Sequence, residues 1–342
     1  MSTKRLRAAV IGCGAIAQTH AQVLSEADYA EAVAFTDIRE ERAVALRDAY
    51  APGAAVFTDW RRMLDEVKPD VVHVCTPHDL HCEMACECLG RNINVYLEKP
   101  ICISEEELAR VEAAAAASSA KITVSFQNRR IASTRLFYHF IREEGGAVAG
   151  RGLVTWLRGY DYYTADDWHG RRSREGGGVM INQAIHTLDM LVEAFPAEIL
   201  TVRGFTANWE NADFTDVEDN AHFLVNFEGG ARITFSATND YFSTMPNFFE
   251  VTTKSGVRIT GMDGHLYRNG VRMDTEEVIV PTVGKACWGN GHTVCIREFY
   301  EAVKTDGEVP VTLASAARTM RILFALYRGD GSPIPVTKAC LQ

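Results

Sequence analysis

Gly12-Cys13-Gly14-Ala15-Ile16-Ala17 has the spacing G-x-G-x-x-G/A, directly after an apolar run and directly before a helical pattern. Glycine at the first position permits a tight turn. Glycine at the third lets a pyrophosphate approach the backbone, and a small residue at the sixth allows close helix–strand packing. The helix start offers N–H groups and the positive end of its dipole to the phosphates. Asp37 lies 20 residues beyond Ala17. That is the separation expected for the acid that accepts the ribose hydroxyls. Its charge would repel a 2′-phosphate, so NAD is predicted rather than NADP, with Arg39 partly offsetting the repulsion. Glycine-rich turns also occur as plain strand–helix connections, and the Asp37 spacing is what argues against that alternative.

Three further residues have the types needed to manage a proton at an alcohol. Glu98-Lys99-Pro100 follows an apolar run, and Pro100 disfavours helical angles at Lys99. In an open parallel sheet, ligands sit beyond the carboxyl ends of the strands, where Lys99 falls. A lysine there is also an ordinary solvated strand end. Asn182 and His186 are four residues apart and share a helix face. Gly176-Gly177-Gly178 precedes them, so bare backbone can come close to a ligand. A lone histidine on a helix is more often a packed core residue; the glycines, Asn182 and Lys99 favour a site. Oxidising a secondary alcohol requires a base for the hydroxyl proton as hydride leaves carbon. An imidazole, with an ordinary pKa of about 6.5, suits that role, which falls to His186. A lysine, ordinarily at about 10.4, starts protonated and would stabilise developing alkoxide charge.

These groups need elements that bring strand ends and helix starts together. Apolar runs at 8–11, 32–36, 71–75, 93–97 and 122–125 alternate with helical patterns near 15–26, 40–50, 79–90 and 104–118. The runs are apolar on both faces, as in a buried parallel sheet. Alternating strands and helices predict a right-handed doubly wound α/β fold. Ser104 followed by Glu105, Glu106 and Glu107 is a capping-box start. After residue 126 the pattern changes. Helices are predicted at 133–143, 182–194 and 312–327, and strands at 221–227, 231–237, 248–253, 257–260, 265–268 and 277–280. Glu228-Gly229-Gly230, Lys254-Ser255-Gly256, Met262-Asp263-Gly264 and Arg268-Asn269-Gly270 read as hairpin turns. This half is predicted to be α+β, with a large, mostly antiparallel open sheet. The expected domains are 1–126 for the cofactor and 127–342 for substrate binding and oligomerisation.

Composition narrows the function further. The chain has 342 residues, enough for two domains at about 150 residues each. Its net charge is −10, so no basic excess is available for nucleic acid or an anionic membrane. No apolar run approaches the roughly 18 residues needed to span a bilayer. The apolar stretch behind the basic N-terminus is too short for a signal-peptide core. The nine cysteines are odd in number and several lie in buried runs, such as Cys75 and Cys295. A reducing, cytoplasmic setting is expected. Cys82, Cys86 and Cys88 with His78 and His81 suggest a metal cluster, but C-x3-C-x-C fits no zinc spacing well. Small apolar helix residues explain them better, and no metal is expected.

In combination, Gly12-x-Gly14-x-x-Ala17, Thr76-Pro77 with His81, Glu98-Lys99-Pro100, and the glycine segment running into His186 and Asp189 resemble the Gfo/Idh/MocA oxidoreductases. Gln127-Asn128-Arg129 and Gly291-His292 extend the likeness over nearly the whole chain. The resemblance implies a Rossmann domain followed by a domain with a large open sheet, a nicotinamide cofactor, and a sugar- or polyol-like substrate. It implies a cofactor site drawn from Gly12, Cys13, Gly14, Ala15, Ile16, Ala17, Asp37, Ile38, Arg39, Thr76, Pro77, His78, His81, Glu98, Lys99 and Gln127. Catalysis is expected from Lys99, His186 and Asn182. Substrate contacts are expected from those three and from Arg129, Tyr160, Trp168, His169 and His292. Arg129 equally fits a pin at the interdomain joint, His169 a surface position, and Tyr160, Tyr162 and Tyr163 a strand edge. In one respect the chain departs from the family, which usually has Asp where Asn182 stands. An amide can hydrogen-bond but cannot exchange protons; some relatives, notably nucleotide-sugar dehydrogenases, also carry Asn there. Pairing through the second sheet, common in the family, predicts a homodimer or homotetramer. Two alternatives to a dehydrogenase are an enzyme using transient oxidation for elimination or glycoside cleavage, and a non-catalytic nicotinamide-binding regulator. Retention of Lys99 and His186 disfavours the regulator.

Overall fold

Strands of valine, isoleucine and alanine form the centre of the first of two units. The computed structural model describes residues 5–262, 264–273 and 289–336. One unit lies within Met1–Cys102, Glu106–Ile131 and Val278–Ala314, the other within Ile103–Glu105, Ala132–Glu277 and Ser315–Gln342.

The first unit contains β1 (Leu6–Ile11), β2 (Ala30–Thr36), β3 (Ala55–Phe57), β4 (Val71–Val74), β5 (Asn94–Leu97) and β6 (Ile122–Val124). They pair in parallel in the order β3-β2-β1-β4-β5-β6. The connecting helices are α1 (Ala15–Ser25), α2 (Glu40–Tyr50), α3 (Trp60–Val67), α4 (His81–Gly90) and α5 (Glu105–Ala117). Crossover helices leave the central strands without a wet face. Ala8, Ala9, Val10, Val71, Val72 and Val74 are all buried. Strand order reverses between β1 and β4, and ligands bind at the carboxyl ends of strands at such a switch point. Gly12 follows β1, Thr76 follows β4, and Lys99 follows β5. β3 and α3 leave little sequence pattern because they are short. The Asp59 carboxylate caps α3, accepting from the Arg61 and Arg62 N–H groups at 2.8 and 3.2 Å.

The second unit contains α6 (Ala132–Glu143), β7 (Ala147–Thr155), α7 (Tyr160–Tyr163), α8 (Arg172–Glu175), a π-turn (Met180–Ala184) and α9 (Ile185–Glu193). β8 (Ile199–Ala207), β9 (Asn220–Phe227), β10 (Arg232–Thr238), β11 (Phe248–Thr253), β12 (Arg258–Met262), β13 (His265–Arg268) and β14 (Val271–Met273) follow. Then come α10 (Gly291–Thr305), which clusters with the first unit, α11 (Leu313–Tyr327), and β15 (Ile334–Pro335). The sheet order is β14-β13-β12-β11-β7-β10-β9-β8-β15. Only the β7–β10 pair is parallel among its described neighbours. Hairpins form at 228–230, 254–256 and 268–270, as their glycines predict. The predicted strand at 277–280 lies outside the described residues, as does Asp263 of the β12–β13 turn.

β7 escapes the sequence pattern because Gly150 and Gly152 interrupt its apolar alternation. A Cβ on Gly152 would lie 2.5 Å from the Phe235 ring and 3.0 Å from Leu191 of α9. The glycines that hide the strand are what let α9 pack on it. One sheet face is buried through Phe223, Val225, Phe227, Ile233 and Phe235, whereas Leu153 and Phe205 remain 46% and 43% exposed.

The boundary predicted at residue 126 does not coincide with the compact units. The turn Gln127–Arg130 and α10 belong with the parallel sheet. Glu298 of α10 holds Arg130 at 2.6 Å, and Tyr300 bonds His73 of β4 at 2.9 Å. Among the described residues, no helix is long and apolar enough to cross a membrane.

Candidate active site

β1 ends at Ile11, and Gly12 turns the chain at φ +86°, a left-handed angle that glycine takes without strain. A Cβ there would sit 2.7 Å from the Cys75 carbonyl carbon and oxygen, so backbone would have to move. At Gly14, the residue before α1, a Cβ meets nothing within 4 Å. No side chain caps α1 and no acid lies in its first turn. Its first N–H groups are thus uncapped by side chains, and the helix dipole there favours an anion. The Asp37 carboxylate accepts from Cys13 N–H at 2.8 Å and Arg39 N–H at 2.9 Å, so it stands beside the glycine turn. Burial pushes the Cys13 thiol up to about 12, and the thiol donates to the Thr36 carbonyl. Ile38 is 88% exposed next to the acid, and Ala17 is fully buried. Together these residues fit a dinucleotide with free ribose hydroxyls.

The loops after β4 and β5 are tied together by His81, the first residue of α4. Its ring nitrogens lie 2.9 Å from the Thr76 carbonyl and 2.6 Å from that of Pro100, which follows Lys99 through a cis peptide. Burial pulls its pKa down. His78 is buried nearby, its ring centroid 5.9 Å from that of His81. Cys82 and Cys88 are buried on α4, as small apolar residues would be.

Behind Lys99 runs a buried chain of polar groups. Burial pushes the Glu98 carboxyl up, but the hydrogen bond from His20 and the neighbouring His292 outweigh it and hold it below the carboxylate range. His20 Nε2 lies 2.9 Å from Glu98 Oε1, His20 Nδ1 lies 2.8 Å from His73 Nδ1, and His73 Nε2 lies 2.9 Å from the Tyr300 hydroxyl. A carboxylate only accepts. His20 Nε2 therefore donates to Glu98, and the chain continues from its other nitrogen through His73 to Tyr300. Burial keeps His73 neutral by driving its pKa well down. The chain fixes Glu98, whose Oε2 in turn accepts the Lys99 backbone N–H at 3.3 Å. His292 opens α10 and is buried, with Nε2 3.8 Å from Glu98 Oε1; burial lowers its pKa to about 4. His20, Glu98 and His292 bring potential metal ligands within 4.8 Å of one another, but the closest pair is already joined by a hydrogen bond. Gln127 is buried beneath Gly291, where a Cβ would meet its carbonyl at 2.6 Å. Arg129 is buried with its guanidinium 5.7 Å from the Phe126 ring centroid.

In the second unit, the π-turn leads directly into α9. Such single π-turns are rare and concentrate at functional sites. From Met180 to Val192 only Asn182 and His186 are not buried, so they are the two part-exposed side chains of this stretch. Asp189 faces inward and accepts from Thr319 of α11 at 2.9 Å. The three glycines serve a different purpose from the one their bareness suggests. A Cβ on Gly176 would lie 2.7 Å from Ile103, on Gly177 2.2 Å from the Tyr327 hydroxyl, and on Gly178 2.0 Å from the Glu218 carbonyl. The chain's own atoms, rather than a ligand, fill the room they leave.

Asn182 is held from behind. Its Nδ2 donates to Glu175 Oε1 at 2.5 Å and to the Tyr162 hydroxyl at 2.9 Å. Gln183 donates to the same hydroxyl at 3.0 Å. Tyr162 in turn packs against His169 with ring centroids 4.8 Å apart, and Trp168 packs against His169 at 3.7 Å. His169 Nδ1 bonds Asp166 at 2.8 Å, which orients its ring. Trp168 and His169 thus belong to the cluster that includes Asn182. Of the three tyrosines, Tyr162 is the one bonded to Asn182. Tyr160 is 62% exposed, with its ring against Phe214. No spacing rule singles out Glu175, whose partners become evident only when α8 meets the π-turn.

A sequence model of the oxidoreductase family with an NAD-binding Rossmann fold matches residues 6–126, and one of the GFO/IDH/MocA C-terminal domain matches residues 145–264. The D-glucoside 3-dehydrogenase of Escherichia coli is 31% identical over 352 residues, covering 96% of each chain. An uncharacterised Bacillus subtilis oxidoreductase, YrbE, is 26% identical over 98% of this chain and 97% of its own. In fold, the chain is similar to the WlbA dehydrogenase of Bordetella pertussis, solved with NADH and UDP-GlcNAcA. The TM-score is 0.84 at 24% identity, covering 98% of this chain and 100% of that one.

Proposed function

The chain belongs to the Gfo/Idh/MocA family of NAD-binding oxidoreductases, and from that membership we propose that it transfers hydride between NAD and a secondary hydroxyl of a sugar ring. Bound NAD supplies the hydride acceptor. The chain's own residues do the rest. Gly12, Gly14 and the start of α1 hold the pyrophosphate, and Asp37 takes the ribose hydroxyls. His186 accepts the hydroxyl proton. Lys99 donates a hydrogen bond to the same oxygen and stabilises it as it becomes an alkoxide. Asn182 orients the ring.

The observation that carries this reading is that Asn182 and His186 are the two part-exposed side chains of an otherwise buried stretch, Met180 to Val192, in a chain that also bears the dinucleotide turn and Lys99. The relatives' names favour glucose-like substrates: a D-glucoside 3-dehydrogenase, a glucose-6-phosphate 3-dehydrogenase and a levoglucosan dehydrogenase. We take the preferred position to be the 3-hydroxyl of a glucose-like ring. The test is a panel of glucosides, hexose phosphates, anhydrosugars, inositols and nucleotide sugars, followed by NADH absorbance. A glucose-like sugar should reduce NAD fastest; no turnover on any of them refutes the reading.

Asp37→Ala is expected to weaken NAD binding and relax discrimination against NADP, because the 2′-phosphate loses its opponent. A wild-type enzyme that binds NADP about tenfold tighter than NAD contradicts the assignment.

For assembly, we propose a homodimer or homotetramer paired through the outer sheet face, where Leu153 and Phe205 are displayed. Exposed apolar patches of this kind mark interfaces. Light scattering at micromolar concentration should give a multiple of 37.8 kDa, and a monomer rejects the interface. The described cysteines are free thiols, consistent with the cytoplasmic setting we propose.

A further inference from the structure

We propose that Glu218 is a positioning residue: it caps, from another part of the chain, the helix that carries Asn182 and His186, and so fixes where those two side chains stand. This rests on the reading of Asn182 and His186 as substrate-side residues.

The first four N–H groups of a helix have no partner within it. The helix begins at Val179, and the bond from the Asn182 N–H to the Gly178 carbonyl at 3.1 Å opens it. Gly178 therefore occupies the capping position, and the four groups belong to Gly178, Val179, Met180 and Ile181. A capping residue usually supplies a side-chain oxygen for them, and glycine has none. Glu218 takes over that task. Its backbone carbonyl accepts the Val179 N–H at 2.9 Å, its Oε1 accepts the Met180 N–H at 3.2 Å, and its carboxylate also accepts the Gly178 N–H. One residue thus satisfies three of the four. Glycine at 178 is the counterpart of this arrangement, because a Cβ there would lie 2.0 Å from the Glu218 carbonyl oxygen. A buried carboxylate is costly in most places, but at a helix start its charge meets the positive end of the dipole.

Glu218 is itself tied to the rest of the second unit. It is buried, the Tyr327 hydroxyl of α11 donates to its Oε1 at 3.0 Å, and Arg172 of α8 donates to its Oε2 at 3.3 Å. Asp219, the next residue, is stitched to the end of β8 through the Ala207 carbonyl at 3.0 Å and to the Asn239 N–H at 2.8 Å. The cap therefore refers the start of the helix to the large sheet and to two other helices. Asn182 and His186 lie four and eight residues beyond Gly178, just over one and two turns along. A shift of the helix start moves both, and a misplacement of about 1 Å can cost a hundredfold in rate.

The test uses the full-length protein with Glu218→Ala and Glu218→Gln. Amide hydrogen exchange reads the cap without any substrate. In Glu218→Ala the amides of residues 178–186 should exchange about tenfold faster, while those of the parallel sheet keep their wild-type rates. Glutamine keeps an oxygen for Met180 and Tyr327 and loses the charge, so its exchange should fall between wild type and alanine. On the sugar that the wild type oxidises fastest, Glu218→Ala should lower kcat per folded molecule about tenfold with NAD binding unchanged, and Glu218→Gln should recover most of it. Wild-type exchange over 178–186 in Glu218→Ala, or in Glu218→Gln should the alanine variant not fold, overturns the proposal. So does exchange that quickens evenly throughout the chain, and so does faster exchange over 178–186 with kcat at its wild-type value. If the wild type oxidises no sugar, the functional reading fails, and the exchange series still decides whether Glu218 caps the helix.

Discussion

Replacing His186 with alanine is expected to lower kcat by about a hundredfold or more while NAD affinity barely changes. The magnitude is the usual one for losing a general base from a reaction that must remove a hydroxyl proton. The selectivity follows from where the groups lie in the chain. The dinucleotide turn is made by Gly12, Gly14 and Asp37 of the first unit, whereas α9 belongs to the second. His186 lies on α9 with Asn182 as its half-buried neighbour, so truncation leaves the core beneath intact. Asn182→Ala should be milder and act mainly on KM, since an amide positions substrate without transferring protons. His169 is the informative control. It is an imidazole oriented by Asp166 at 2.8 Å, the arrangement a base needs. If His186→Ala leaves turnover intact and His169→Ala abolishes it, the base has been misassigned.

Lys99→Ala is the second large effect. It should cut kcat about a hundredfold to a thousandfold, because a donor aimed at developing oxyanion charge contributes about 3–4 kcal/mol in a shielded site. Fold damage should not account for the loss. The buried chain through Glu98, His20, His73 and Tyr300 holds the strand end without the lysine side chain. Melting temperature and NAD binding should therefore stay near wild type, with the loss confined to the chemical step. A variant that keeps wild-type kcat and only raises KM would make Lys99 a binding group.

The first unit was largely legible in the sequence because its signals are local. The apolar runs that became β1, β4 and β5 are buried on both faces, and G-x-G-x-x-A sits on one turn. The Asp37 spacing reflects the length of one β-α-β step. What was not legible depends on tertiary packing. β7 lost its alternation to Gly150 and Gly152, which exist to admit Phe235 and Leu191. The glycines at 176–178 suggested bare backbone for a ligand, but Ile103, Tyr327 and Glu218, far away in sequence, explain them. Asn182 and His186 were visible at helical spacing, although the π-turn beneath Asn182 has no sequence signature. Glu175 could not be found at all by pattern, because nothing about an acid at the end of a four-residue helix foretells its bond to Asn182. The grouping of α10 with the first unit was hidden for a related reason. α10 lies far along the chain yet packs on the parallel sheet, through Tyr300 and His73.

Direct hydride transfer from a sugar carbon to NAD is the central claim, and isotope tracing tests it most directly. The best substrate from the sugar panel is prepared with deuterium at its carbinol carbons and incubated with NAD and the enzyme. The reduced cofactor is then weighed by mass spectrometry against the amount of ketone formed. The account predicts one deuterium in each NADH and one NADH for each ketone. Reduced cofactor without deuterium, or product that accumulates while NADH does not, would contradict it.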